Sequence, residues 1–163
     1  MKETVLVLSL WVHLLAAVVW VGGIVSILFV VLPSARKVLG AGAASLMKEV
    51  SGRFTPMANV SIVLLVITGL AFITLEDRPA GFGESGNVWT FPFGLKLILA
   101  ATMILIHFYR NLVLAPKIAG AASETSKASL QRLSLTCVKT NLVIGVAVLM
   151  LSGMAAMHWL SST

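Results

Sequence analysis

The sequence predicts an all-α integral membrane protein, a bundle of four transmembrane helices built as two parallel-related helical hairpins. Three observations carry that prediction: four long apolar runs, an alternation of charge in the connections between them, and an internal repeat. The runs are Val5–Leu32, Phe54–Leu75, Phe91–Ala115 and Thr140–Leu160. A helix of about 20 apolar residues crosses the ~30 Å hydrocarbon core of a bilayer. Inside lipid every backbone N–H and C=O must be paired, which leaves helices or closed barrels. Runs of this length without strict alternation exclude barrel strands, which need about 10 residues.

Composition agrees. The 163 residues are 58% hydrophobic and 11% charged, with a mean hydropathy of +1.00. The connections are too short to bury a core of their own, so residues 1–163 are expected to form a single membrane domain with helices near 5–32, 54–75, 91–115 and 140–160. The first run is too long for the apolar part of a signal peptide and no A-x-A site follows it, so it is expected to be retained.

The net charge of +6 is unevenly placed. Pro33–Arg53 holds Arg36, Lys37, Lys48 and Arg53 against Glu49, and Pro116–Lys139 holds Lys117, Lys127, Arg132 and Lys139 against Glu124. The middle connection holds Glu76, Asp77 and Glu84 against Arg78. Basic loops stay in the cytoplasm. Both basic connections therefore face inward, and both termini and the middle loop face outward from the cell inner (cytoplasmic) membrane. The basic excess reads as topology, with some anionic-lipid contact, and not as a nucleic-acid footprint.

The repeat relates the two halves. Pro33 corresponds to Pro116, Asn59 to Asn141, and Thr68-Gly69-Leu70 to Ser152-Gly153-Met154, at a nearly constant offset along the chain. Repeat transporters place their sites at such repeat interfaces. His13 precedes Pro33 by the same interval as Lys96 precedes Pro116. The two side chains are expected in the outer half of the bilayer, facing each other across a pseudo-twofold axis.

Ionisable groups in spans are costly and ordinarily face an interior or a cavity. His13, bracketed by Trp11 and Trp20, offers an imidazole suited to haem iron or copper; the alternative is a hydrogen bond to a neighbouring helix. Lys96 is either a snorkelling interfacial cation or, once deprotonated, an iron ligand or proton acceptor. His107 lies some ~16 Å deeper by helical rise. It serves either a second, inner site or a network with Tyr109, Arg110 and Asn141, and the network is preferred. Met150, Met154 and Met157 recur at helical spacing beside His158, a set that suits Cu(I) or plain packing. Small residues at Gly22, Gly23, Gly69, Gly145 and Gly153 allow close helix approach or room for a flat macrocycle. Cys137, the one cysteine, forms no internal disulfide and reads as a packed thiol. No Walker, H-E-x-x-H, paired C-x-x-C or triad pattern is present, so redox chemistry or transport at a buried cofactor is the chemistry left.

Four segments in order, W-x-H-LLAAVVWVGG, GRFTPMANVSIVLLVITGL, FGLKLILAATMILIHFYRN and a closing helix with a glycine near its end, resemble the copper resistance protein D (CopD-like) superfamily of membrane proteins. The HemJ-type family is similar more distantly. It too is four-helical, with a histidine on helix 1 and a lysine opening helix 3, both implicated in binding haem b. His13 and Lys96 match that pair. The arginine-, aromatic- and histidine-rich segment that follows helix 1 in that family is absent here, where the chain reads SILFVVLPSARK. The resemblance implies a haem b-binding protein of electron transfer or redox chemistry, with His13 and Lys96 at the iron and Trp20 and His107 as further cofactor-binding candidates. Its expected partners are the lipid bilayer, a quinol or periplasmic redox protein, and a second copy or a larger membrane complex. The alternatives are a copper-binding or copper-transporting protein of the CopD type, using His13, Met150, Met154, Met157 and His158, and a cofactor-free subunit of a respiratory complex.

Overall fold

The computed structural model describes the backbone of residues 1–75 and 90–161, and the side chains of 1–75 and 93–154. All regular structure among these residues is helical. The chain divides into two compact units, Met1–Pro79 and Ala80–Thr163.

In the first unit α1 (Lys2–Ser26) runs through a π-helical turn at Ile27–Val31 into α2 (Leu32–Leu39). A proline ring clashes with the carbonyl four residues back, and Pro33 sits at the start of α2. The π-turn widens the helix just before it, and the Leu32 N–H reaches back to the Ile27 carbonyl. The chain reverses through Gly40–Gly42. Gly40 has φ +49°, a conformation that L side chains rarely adopt and that suits glycine past a helix end. From there α3 (Ala43–Leu75) returns along α1. It carries Pro56 in its interior.

The hairpin closes on Ala16, Trp20 and Ile24 from α1 and on Ala58, Ser61, Ile62 and Thr68 from α3. Gly23 makes that closure possible, because a Cβ there would overlap the Phe54 ring. Gly22 and Gly69 have open space instead.

The second unit repeats the pattern. Helix α4 (Thr90–Tyr109) passes through a π-turn at Arg110–Leu114 into α5 (Ala115–Ala119), with Pro116 at its start. The Ala115 N–H again reaches back across the wide turn, to the Arg110 carbonyl. After Gly120, α6 (Glu124–Ser161) runs back along α4. Ser123 caps it by accepting the Ser126 N–H at 3.2 Å.

The helices overrun the apolar runs at their basic ends. The run at 54–75 lies inside α3, which begins at Ala43, and the run at 140–160 lies inside α6, which begins at Glu124. The two basic connections are therefore mostly helix. Among the described residues, three stretches are long and apolar enough to cross a membrane: Lys2–Leu75, Phe93–Ala119 and Glu124–Met154. The first two apolar runs fall within one of them, because α1 to α3 form a continuous helical course that turns back at Gly40. The charges of the middle connection, Glu76, Asp77, Arg78 and Glu84, lie outside the described residues.

Candidate functional site

His13 is held by two residues of α3. Its Nδ1 lies 2.7 Å from Thr68 Oγ1, and its ring meets Phe72 edge-on with centroids 5.9 Å apart. Thr68 and Phe72 are one turn apart, so a single face of α3 grips the imidazole. The Thr68 hydroxyl spends its proton on the Leu64 carbonyl at 2.6 Å. Its oxygen therefore meets the imidazole as an acceptor, and Nδ1 carries the proton. In the neutral ring Nε2 then carries the lone pair. A metal-ligating histidine takes the same form, with its second nitrogen donating to a fixed acceptor.

His107 also carries its lone pair at Nε2. The Asn111 amide nitrogen, a donor only, lies 2.9 Å from it, so Nε2 accepts. Its lone pair is engaged by the side chain one turn on. Asn141 donates to the Met103 carbonyl at 3.2 Å, Arg110 donates through Nε to Ser134 Oγ at 3.2 Å, and Tyr109 is exposed. Asn111 and Ser134 were missed from sequence; the i, i+4 spacing of His107 and Asn111 was the available signal.

Trp20 is buried two turns along α1 from His13. Lys96 lies on α4 in the second unit, half-exposed, and no carboxylate among the described residues pairs with it. Met150 and Met154 are 68% and 52% exposed. Their thioethers lie on an outward face of α6, while the side chains of Met157 and His158 lie outside the described residues. Cys137 is a half-buried free thiol.

These features define a class, an all-α protein whose apolar helices suit contact with a lipid bilayer. Within that class the chain belongs to the family described as a domain of unknown function, DUF4149, whose model matches residues 15–127. The match takes in Thr68, Lys96 and His107; it begins just after His13 and ends before most of α6. No curated protein and no solved structure matches the chain.

Proposed function

We propose that this chain is a CopD-like protein of the cytoplasmic membrane, crossing it four times with both termini outside, that binds haem b through His13. The observation that carries the reading is the relay from His13 Nδ1–H to Thr68 Oγ1 and from the Thr68 hydroxyl to the Leu64 carbonyl. It fixes the tautomer and orientation of an imidazole that would hold the iron. A bound haem would supply a reversible one-electron couple, suited to exchange with a quinol or a periplasmic redox protein.

The chain's own part is to hold the ligand in place. Thr68 and Phe72 orient the ring that would hold the iron. Lys96 stands at the register of the second repeat that matches His13 in the first. On this reading its amine is a second candidate ligand, tested by substitution.

Absorbance tests the reading directly. Protein purified from haem-replete cells is expected to show a Soret band and a reducible α-band, and His13→Ala to lose most of both. Folded but colourless wild-type protein sinks the proposal. Lys96→Ala is expected to keep some haem and to gain carbon monoxide binding. Wild type that binds carbon monoxide freely, with no change in Lys96→Ala, removes lysine from the site and leaves His13 in place.

A further inference from the structure

The seam of the second hairpin is chemically unlike that of the first, although the two are built to one plan. In the register that aligns His13 with Lys96 and Pro33 with Pro116, Trp20, Ile24, Ile27 and Leu28 correspond to Met103, His107, Arg110 and Asn111. Trp20 and Ile24 are buried, and so are Met103 and His107. At these four positions the first unit uses no ionisable side chain and no amide. The fold therefore does not require a histidine, an arginine and an asparagine there, and in a membrane-length helix they are costly groups that ordinarily mark a function.

Arg110 is turned inward. A snorkelling arginine extends towards headgroups, whereas here Nε donates to Ser134 Oγ on the facing helix α6. A guanidinium has five N–H donors, and the serine takes one. Among the described residues no carboxylate meets its charge; the acidic side chains that do pair are Glu49, with Arg53, and Glu124, with Lys127. Two turns beyond Ser134, on the same face of α6, lies Asn141, only 4% exposed. The Met103 carbonyl fixes its amide nitrogen, and its Oδ1 is buried with no donor among the described residues. The seam thus offers a positive fork at one end and an acceptor seeking an O–H at the other.

We propose that the seam between α4 and α6 is a binding site for a phosphate-class oxyanion. The planar guanidinium of Arg110 takes the charge, in the paired N–H geometry that arginine offers phosphate. A hydroxyl of the ligand, or a water carried in with it, donates to Asn141 Oδ1. The surroundings within this unit favour an anion, since Lys117, Arg132 and Lys139 are exposed and Glu124 is engaged by Lys127. The site does not depend on haem binding. Its ligand is a free phosphate compound or the headgroup of an anionic lipid, and both present the same group to Arg110.

The test uses the full chain in micelles of a neutral glycoside detergent, which carries no phosphate. One arm titrates inorganic phosphate; the other adds phosphatidylglycerol to the micelles with no free phosphate. Melting temperature is followed in both, and native mass spectrometry follows retained adducts. A saturable rise in one arm is expected, with apparent affinity about tenfold or more weaker in Arg110→Gln, partly restored in Arg110→Lys and unchanged in Arg132→Gln. A response to phosphate alone identifies a soluble ligand, and a response to phosphatidylglycerol alone a lipid. Should Arg110→Gln fail to fold, Ser134→Ala is expected to weaken the same response several-fold. No saturable response in either arm, or an equal one in Arg110→Gln, Ser134→Ala and wild type, overturns the site.

Discussion

Thr68 uses one oxygen twice, donating to Leu64 and accepting from His13. It is 5% exposed, so water does not readily replace either bond. Thr68→Val keeps the shape and removes both. An imidazole N–H left without an acceptor costs about 1–3 kcal/mol. Melting in detergent is expected to show a loss of that size in Thr68→Val and little loss in Thr68→Ser. If haem is bound, its content or midpoint potential should move in the valine variant and recover in the serine one. Equal stability of the three proteins would mean that the bond does not matter. His13 was legible in the sequence because a histidine inside an apolar run is costly wherever it points. Thr68 was not, because its importance depends on which turn of α3 lies against α1. As a sequence feature it served only to mark the repeat. Arg110 and Ser134 were hidden likewise, far apart in the chain and joined by the reversal of the hairpin.

At the scale of the helix, the apolar runs fell inside helices and missed the helix ends. Hydropathy detects what lipid covers, and the first turns of α3 and α6 are polar. Local contacts add modest support there: the Glu49–Arg53 pair at 2.8 Å, the Glu124–Lys127 pair at 3.4 Å and the Ser123 cap. The π-turns were equally silent, although a proline followed each at the same register. Glycine is the residue type whose role the sequence left most open, and the two neighbours Gly22 and Gly23 separate the possibilities. Gly23→Ala pushes into the Phe54 ring and is expected to destabilise the first hairpin by about 1–3 kcal/mol. Gly22→Ala meets nothing and is expected to be neutral or to gain up to about 1 kcal/mol from helix propensity. Thermal melts of the two variants in the same detergent check this. If both behave alike, close approach at Gly23 is not what holds α1 against α3.

For the whole molecule, the repeat was the most legible property, since its register survives in two units that each contain a π-turn, a proline and a returning helix. The number of crossings is the property that helices alone do not fix. A stretch such as Lys2–Leu75 is long enough to cross twice, and its reversal at Gly40 falls among Arg36, Lys37 and Lys48. Positive charge of that density resists translocation, and so does the similar density around Gly120. If both reversals stay inside, each unit must cross and return, giving four crossings and an outer N-terminal end. Single cysteines in a Cys137→Ser background decide it. Thr4, Ser45 and Ser123 are all exposed, so each label reports membrane sidedness. An impermeant maleimide on intact spheroplasts is expected to modify Thr4→Cys and to spare Ser45→Cys and Ser123→Cys until the membrane is opened. Labelling of Ser45→Cys and Ser123→Cys from opposite sides would leave an odd number of crossings between the two reversals. That result would contradict the parallel relation of the hairpins, because α3 and α4 together must cross twice for the second repeat to enter the membrane in the same direction as the first.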